Sequence, residues 1–274
     1  MTENRHHSEN PNHSVIPNHS VIPNHSVIPN HDHADLHDRT TVLVTGANKG
    51  LGLETSRRLA LLGWTVWMGA RDEQAGLDAA ARIRMVQPDA DVRPVVLDVT
   101  DDKSVLTAYD IVAESGTGLD VLVNNAGVAG NHATTLETVP ADFLPVFGVN
   151  VLGPVRVTHA FLPLLTASPR PRLVMVSSGL GSIALVNDPE RTESVVPGMV
   201  YQSSKAALNM IANQYARDLP GVRVTTVDPG YTATDLNGHQ GHQTVTEGTD
   251  AIVAAASADT VAGPHIDRHG VVPR

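Results

Sequence analysis

The stretch TTVLVTGANKGLG, residues 40–52, joins a β-rich run to a glycine-rich turn and leads into the helical stretch LGLETSRRLALLG. Its three glycines let the turn close and bring backbone N–H groups up to a pyrophosphate, which the N-terminus of the following helix also favours. Their spacing is GxxxGxG, unlike the common GxGxxG pattern. A tight turn alone explains one or two of the glycines, but the strand–turn–helix context favours nucleotide binding.

The alternation of strand and helix continues along the chain. Further β-rich runs are WTVWMGA (64–70), VRPVVLDV (92–99), LDVLVNNAG (119–127), RLVMVSS (172–178) and VRVTTVDPG (222–230). Helical stretches between them predict βαβ units, and therefore an α/β fold with a doubly wound parallel sheet covered by helices on both faces. The segment VAGPHIDRHGVV, residues 261–272, indicates a seventh strand. We expect a single Rossmann domain over residues 39–274.

Residues 1–38 differ from the rest of the chain. NHSVIP is repeated three times in tandem from Asn12 to Pro29, and eight of the 14 histidines lie in this segment. A six-residue unit with one proline fits neither a helix nor a paired strand, so we predict a disordered tail. Its histidines are interpreted as solvated, with loose capture of Zn²⁺ or Ni²⁺ as the alternative.

Composition narrows the functional classes. The chain has 274 residues, 41% of them apolar, and a formal net charge of −10. A sizeable core is expected, whereas binding to nucleic acid or an anionic membrane is not, because clustered Lys and Arg are missing. The absence of cysteine excludes disulfides and cysteine zinc sites and suits a reducing compartment. No apolar run is long enough to span a membrane or to form a signal peptide, so we expect a cytoplasmic protein.

A tyrosine and a lysine in YQSSKAALNM lie four residues apart, at positions 201 and 205. On a helix such residues share a face, so the Lys205 ammonium is expected to lower the pKa of the Tyr201 phenol from about 10. The phenol would then exchange protons nearer neutrality. The same spacing is also explained by an ordinary Tyr/Lys pair on a solvated helix, and only the other motifs favour a catalytic pair.

The end of the second β-rich run indicates which nucleotide is bound. An NAD site usually has an acid there for the ribose 2′-hydroxyl, but this chain has Ala70 and then Arg71, with Asp72 beyond reach. Arg71 and Lys49 are cations suited to a 2′-phosphate. Each is also explained as a surface charge, but together with the missing acid they favour NADPH.

The ordered motifs TGANKGLG, LDV, NNAG, VNVLG, VSS, YQSSK and DPGYTAT resemble those of the short-chain dehydrogenases/reductases, most of all the NADPH-dependent carbonyl reductases. The resemblance covers all of the chain except the tail. It implies reversible hydride transfer from NADPH to a small-molecule aldehyde or ketone, without a metal.

The same resemblance implies a catalytic group of Asn150, Ser178, Tyr201 and Lys205. Ser178 would hold the substrate oxygen and Tyr201 would give it a proton, while Lys205 would also bind the nicotinamide ribose. Asn150, at a kink in a long helix, would hold a water that links Lys205 to solvent. Two alternatives stay open: Ser177 in place of Ser178, and Asn150 as a buried polar residue that satisfies helix backbone.

The resemblance also assigns the cofactor contacts. Asp98 and Val99 would flank the adenine, residues 124, 126 and 127 the ribose, and residues 229–234 the nicotinamide amide and phosphates, whereas Asn125 is expected to be structural. The implied cofactor-binding residues are Gly46, Asn48, Lys49, Gly50, Leu51, Gly52, Arg71, Asp98, Val99, Asn124, Ala126, Gly127, Tyr201, Lys205, Pro229, Gly230, Thr232 and Thr234.

The chain departs from the family pattern in two places. Between Ser178 and Tyr201 lie 22 residues, including NDPERTESVVPGM, where the family commonly has fewer. We expect this insertion to shape specificity, and it could block the helix packing of tetramers, so homo-oligomerisation stays open. The segment DLNGHQGHQTVTEG, residues 235–248, predicts a small mobile lid whose His239 and His242 are interpreted as solvated, with substrate contact as the alternative.

Two rival functions follow from the same motifs. One is an NAD-dependent alcohol dehydrogenase, which Arg71 and the missing acid disfavour. The other is a non-catalytic sensor of NADP(H) with the same fold. The intact set of Ser178, Tyr201 and Lys205 disfavours this function, because a sensor does not need all three residues.

Overall fold

The structure, a computed structural model, describes residues 39–131, 133–260 and 263–273. The tail over residues 1–38, with its predicted disorder and the alternative of metal binding, lies outside the described residues.

The described residues form one sheet of eight strands, with spatial order β3-β2-β1-β4-β5-β6-β7-β8. All neighbouring pairs are parallel except β7 and β8. The predicted doubly wound α/β fold is therefore confirmed. The strands are β1 Thr41–Thr45, β2 Thr65–Ala70, β3 Val92–Val96, β4 Val121–Asn124, β5 Arg172–Val176, β6 Arg223–Val227, β7 His265–Asp267 and β8 Gly270–Val271.

Helices cover both faces of this sheet. They are α1 Gly50–Leu61, α2 Glu73–Val86, α3 Asp102–Glu114, α4 Pro140–Phe147, α5 Gly153–Thr166, α6 Ile183–Val186, α7 Met199–Asp218, α8 Val245–Gly248 and α9 Asp250–Ser257. A π-helical turn, Gly148–Leu152, joins α4 to α5, and short 3₁₀ turns lie at Gly179–Gly181, Thr192–Val195 and Asp235–Asn237.

The apolar strands explain why the sheet is covered on both sides. Every residue of β1, β2, β4 and β5 is buried, as expected for parallel strands between two helical layers. Because side chains alternate along a strand, Val42 and Val44 pack in the core cluster that includes Leu59 of α1, whereas Leu43 packs on the other face with Phe161 of α5. Strand order reverses between β1 and β4, which opens a crevice at their carboxyl ends.

Several predicted strands end earlier in the structure than in the sequence. The run Val92–Val99 pairs only to Val96, and the run Val222–Gly230 only from Arg223 to Val227. One more backbone bond to the neighbouring strand follows each end, from Leu97 N to Ala70 O and from Asp228 N to Ile266 O. After Asp228 the backbone bonds within the loop, where Gly230 N donates to Asp228 Oδ1 at 2.9 Å.

The predicted seventh strand is present but is followed by an eighth that we did not predict. Gly270, with φ 137°, lets the chain reverse after β7, and the Asp267 carboxylate accepts hydrogen bonds from His269 N and Gly270 N in this turn. The segment therefore forms a short antiparallel pair at the edge of the sheet, with Ile266 opposite Val271.

The helical stretch predicted over residues 141–165 contains the π-helical turn at its centre. Pro154 lies in the first turn of α5 and has no N–H to continue the ladder. Gly153 brings this helix close to the loop after β3, since a Cβ there would lie 2.9 Å from Val99 Cγ2. Such turns often occur at functional sites, and this one positions Asn150.

A matched pair of leucine substitutions tests the assigned core. Leu165 of α5 is fully buried and Leu136 is 98% exposed. Leu165→Ala should lower the free energy of unfolding by about 2–5 kcal/mol, because it removes buried methyl groups and leaves a cavity. Leu136→Ala should change it by less than about 0.5 kcal/mol. Urea denaturation followed by circular dichroism measures both, and equal effects would contradict the assigned packing.

Candidate active site

The glycine-rich turn after β1 fits only glycine at its tightest point. Gly46 and Gly50 have φ of 63° and 54°, in the left-handed region. A Cβ on Gly52 would lie 2.3 Å from the Gly46 carbonyl oxygen and 2.5 Å from Asn125 Nδ2. The turn therefore packs backbone against backbone, as a loop that approaches a pyrophosphate must.

The N-terminus of α1 suits a phosphate group. Among the described residues, no side chain caps it, and its first turn contains no acid. The free N–H groups and the helix dipole there attract an anion. Leu51 anchors the first turn by packing against the core cluster that contains Leu59. The residues present thus fit a dinucleotide in this crevice.

Asn125 holds the glycine turn against the end of β4. Its Nδ2 donates to Thr45 O at 2.8 Å and to Gly46 O at 3.2 Å, and its backbone N donates to Thr45 Oγ1 at 3.0 Å. Ala126 N donates to the same hydroxyl at 3.0 Å. These bonds agree with the structural role expected for Asn125.

The side chain of Asn124 points away from the cofactor site in which it was expected to lie. It is buried, and its Nδ2 donates to Thr158 Oγ1 of α5 and to Met175 Sδ of β5. Strand alternation directs it away from Asn125 and into the sheet–helix interface. A contact of Asn124 with the cofactor would therefore have to use its backbone.

The region predicted to hold the adenosine end contains both cations and acids. Arg71 is exposed after β2 and lines, together with Asp98, a groove of about 590 Å³ beside α2 and α3. Hydrogen bonds from Thr100 hold the pKa of the Asp98 carboxyl below its ordinary range, and Arg71 contributes to this. Val99 is buried, and its carbonyl accepts a 2.6 Å bond from Arg156.

A further cation at this end was not recognised in the sequence. Arg82 of α2 donates from Nη2 to the Asn48 carbonyl oxygen of the glycine turn at 3.1 Å. It lies 34 positions beyond Asn48, so only the packing of α2 beside the turn shows the contact.

Lys49 makes a contact that the sequence did not indicate. Its ammonium lies 2.7 Å from Asp235 Oδ2, in the segment predicted to form the lid. In the structure Lys49 therefore joins the glycine turn to this segment across the crevice. The same ammonium was expected to face a 2′-phosphate, and that role stays a prediction.

The loop after β6 carries the residues assigned to the nicotinamide. Gly230 has φ 70°, and a Cβ there would lie 2.6 Å from Gln243 Oε1. The Thr232 hydroxyl is buried and donates to Pro229 O at 3.0 Å. Thr234 approaches the glycine turn, since a Cβ on Gly50 would lie 3.7 Å from Thr234 Cγ2. The loop therefore faces the N-terminus of α1.

The structure distinguishes the two serines after β5. The Ser177 hydroxyl is buried and donates to Asn209 Oδ1 at 2.6 Å, inside the protein. Ser178 lies on the opposite side, where its side chain hydrogen bonds with Tyr201. Of the two alternatives, Ser178 is the one that the structure brings together with Tyr201.

Tyr201 and Lys205 share one face of α7, as the spacing predicted. The Lys205 ammonium lies 5.6 Å from the centroid of the Tyr201 ring and donates to Val176 O, at the end of β5, at 2.9 Å. Lys205 is only 4% exposed. Gly127 completes this side of the crevice, since a Cβ there would lie 3.6 Å from Lys205 Nζ.

The ionisation of this pair differs from the expectation. Burial, together with the Asp228 carboxylate, raises the pKa of Tyr201 to about 12, although the hydrogen bond with Ser178 favours the ionised form. Burial lowers the pKa of Lys205 to about 8, against the raising effect of Asp228. Desolvation therefore outweighs the predicted lowering of the phenol pKa by Lys205.

Asn150 is buried in the π-helical turn. Its Nδ2 donates to Val128 O at 2.9 Å and to Ser204 Oγ at 3.0 Å, and its Oδ1 accepts from Val128 N at 2.9 Å. These contacts fit the alternative of a buried polar residue that satisfies nearby backbone. The water-holding role stays a prediction.

The insertion after Ser178 and the segment after β6 both border the site. Glu193 of the insertion approaches Gly179, next to Ser178, and forms an ion pair with Arg191 at 2.9 Å. His239 lies 2.9 Å from Asp235, and His242 packs beside Tyr231 with ring centroids 5.9 Å apart. These contacts fit the solvated interpretation of both histidines.

Two negative findings apply to residues 39–131, 133–260 and 263–273. Within these ranges no cluster of three or more His, Cys, Asp or Glu side chains could hold a metal ion. Nor does any helix there have the length and apolar character needed to cross a lipid bilayer.

Comparisons with known proteins agree with the geometry. The model of the short chain dehydrogenase family matches residues 40–244. The short-chain dehydrogenase anuI of Penicillium roqueforti (strain FM164) is 35% identical over 223 residues, which cover 79% of this chain and 88% of that protein. The (-)-isopiperitenone reductase of Mentha piperita is 31% identical, over 78% of this chain and 91% of that protein.

A solved structure is similar over nearly the whole described chain. The NADPH-bound carbonyl reductase from chicken fatty liver superposes with a TM-score of 0.74 and 27% identity, and the match covers 85% of this chain and 98% of that one. Because the family model spans most of the chain and the glycine turn, Ser178, Tyr201 and Lys205 meet at one crevice, the protein is an oxidoreductase of the short-chain dehydrogenase family.

Proposed function

We propose that this protein is an NADPH-dependent carbonyl reductase that reversibly transfers hydride to an aldehyde or ketone. The observation that supports this most is the meeting of Ser178, Tyr201 and Lys205 at the carboxyl end of β5. A hydroxyl, a phenol and a buried ammonium can together bind a carbonyl oxygen and deliver a proton to it.

Each residue then has a separate task. When bound, the reduced nicotinamide supplies the hydride for the carbonyl carbon. Ser178 holds the carbonyl oxygen by a hydrogen bond, and the Tyr201 O–H donates its proton to that oxygen. A pKa of about 12 keeps the phenol protonated at neutral pH, which suits a donor in the reducing direction. Lys205 keeps a positive charge beside the developing tyrosinate, since its pKa is about 8.

The preference for NADPH is proposed from the charges at the adenosine end. Position 70 is a buried alanine, so no carboxylate is present there for a ribose 2′-hydroxyl. Arg71 is exposed at the next position, and Arg82 borders the glycine turn at Asn48. Guanidinium groups bind phosphate through paired hydrogen bonds. The NADPH in the structure of the chicken carbonyl reductase supports the same choice.

The proposed substrates are small organic carbonyl compounds, and the proposed cellular location is the cytoplasm. The name of the Mentha piperita relative supports a reductase of small organic compounds. A cytoplasmic location is proposed from the absence of cysteine in the sequence, which suits a reducing compartment. Homo-oligomerisation stays open.

Substitution of Tyr201 separates an enzyme from a sensor. Tyr201→Phe keeps the ring but removes the proposed proton donor, so carbonyl reduction should fall about a hundredfold or more while NADPH still binds. Tyr215→Phe, on the same helix, is the matched control and should retain parental turnover. Lys205→Met should reduce turnover and also weaken NADPH, because the ammonium is proposed to serve both phenol and ribose.

Turnover is followed by the loss of nicotinamide absorbance over a panel of aldehydes, ketones, quinones and diketones, and binding by fluorescence titration. Parental activity in Tyr201→Phe would show that the proton comes from another group. A parent that binds NADPH tightly but reduces no member of the panel would support the sensor.

Arg71→Asp tests the choice of nucleotide. The substitution removes a charge-assisted contact and adds repulsion against a 2′-phosphate, so kcat/KM for NADPH should fall at least about tenfold, or about 1.4 kcal/mol, with little change for NADH. Arg217→Asp, on the exposed surface of α7, controls for the change in net charge. An equal loss with both nucleotides, or a parental preference for NADH, would contradict the assignment and favour the alcohol dehydrogenase.

A further inference from the structure

Asp228 is a buried acid that the proposed mechanism does not use. It follows β6 directly and is 7% exposed. Its carboxylate accepts a 2.9 Å hydrogen bond from Gly230 N and another from Gly179 N. A buried carboxylate is costly unless it is hydrogen bonded, so these two N–H groups explain how the chain accommodates it.

The two bonds join separate parts of the site. Gly179 immediately follows Ser178, and Gly230 belongs to the loop proposed to hold the nicotinamide. Asp228 therefore connects the turn that carries the substrate-binding hydroxyl to the loop that carries the cofactor contacts. These two segments lie about 50 residues apart in the chain, and their separation determines where a carbonyl carbon would stand relative to a nicotinamide.

Glu193 of the insertion approaches the same point. A Cβ on Gly179 would lie 2.7 Å from Asp228 Oδ2 and 2.9 Å from Glu193 Oε1. A side chain at position 179 would therefore require these carboxyl groups to move, and the two carboxyl groups lie close together. Glu193 is itself bonded by Arg191, so the insertion brings both charges of this ion pair near Asp228.

The charge of Asp228 acts on the catalytic pair. It raises the pKa of Lys205, against a larger lowering of that pKa by burial. It also raises the pKa of Tyr201, in addition to a larger rise caused by burial. Asp228 has a raised pKa itself because it is buried, with Glu193 and Asp267 adding repulsion and the two N–H groups opposing it. The charged and titratable groups around Asp228 are thus Glu193, Arg191, Tyr201, Lys205 and Asp267.

We propose that Asp228 is a positioning residue of this site: its carboxylate holds the Ser178 turn against the nicotinamide loop and supplies the buried negative charge that keeps Lys205 protonated. Its part in catalysis rests on the proposed reductase function, whereas its effect on Lys205 does not. Since the pKa of Asp228 is raised, the carboxylate is present above that pKa and is lost as the pH falls through it. The acid limb of the pH profile of kcat/KM then belongs to Asp228 and the basic limb to Lys205.

Three substitutions separate charge from packing. Asp228→Asn keeps the size of the side chain and removes its charge. Glu193→Gln leaves Asp228 and its hydrogen bonds in place and removes a neighbouring charge that raises its pKa. Glu190→Gln is the matched control, because Glu190 is an exposed acid of the same insertion.

The first measurement needs no turnover. The chain has three lysines, at positions 49, 103 and 205, so the side-chain signals of ¹³C-lysine-labelled protein can be titrated by NMR, with Lys205 assigned by its absence from Lys205→Met. The parent should show a Lys205 midpoint of about 8. Asp228→Asn should move it lower, and Glu190→Gln should leave it unchanged. An unmoved Lys205 midpoint in folded Asp228→Asn would overturn the charge role.

The second measurement is the pH profile of kcat/KM with NADPH and an aldehyde or ketone that the parent reduces. Near pH 7.5 Asp228→Asn should lose about tenfold, with its acid limb absent and its basic limb at lower pH. Glu193→Gln should keep the basic limb and move the acid limb to lower pH, and Glu190→Gln should match the parent.

The remaining outcomes also test the proposed role of Asp228. A uniform loss in Asp228→Asn with both limbs in place would make Asp228 an ordinary structural contact. If Asp228→Asn does not fold, Glu193→Gln carries the test, and an unmoved acid limb overturns the proposal. If the parent reduces no carbonyl, the reductase function fails while the Lys205 titration still tests the charge of Asp228.

Discussion

The turn after β1 has to pass close to the end of β4, and the rest of the site depends on that approach. The Asn125 amide holds the turn with two hydrogen bonds, and Gly52 leaves no space for a Cβ beside the Gly46 carbonyl. A side chain at position 52 would push α1 away from the sheet. The uncapped N-terminus of α1 would then no longer face the crevice where the strand order reverses.

Burial of charge is the second constraint. Lys205 is 4% exposed and Asp228 is 7% exposed. Both lie near the Tyr201 phenol, which burial keeps protonated. In such an environment a neighbouring charge has a larger effect than in water, so the proton-donating ability of Tyr201 depends on the whole group and not on Lys205 alone. The spacing of Tyr201 and Lys205 in the sequence was therefore an incomplete guide to the pKa of the Tyr201 phenol.

Much of the site could be predicted because its signals are local. The glycine turn, the shared helix face of Tyr201 and Lys205, and the alternation of strands and helices all follow from spacing within short segments. The expectation was weaker where a choice depends on packing. Strand alternation around β5 turns Ser177 toward Asn209 and leaves Ser178 on the side of Tyr201, and the sequence alone allowed either serine.

The sequence by itself determined the fold class, the family and the shared helix face of Tyr201 and Lys205, because periodicity and ordered motifs are properties of neighbouring positions. Only the tertiary structure decided where individual polar groups point and what they contact: the Asn124 side chain toward α5, the Lys49 ammonium on Asp235, and the Asp228 carboxylate between two turns. Those contacts join residues far apart in the chain, and their energies depend on distance and burial, which no spacing in the sequence records.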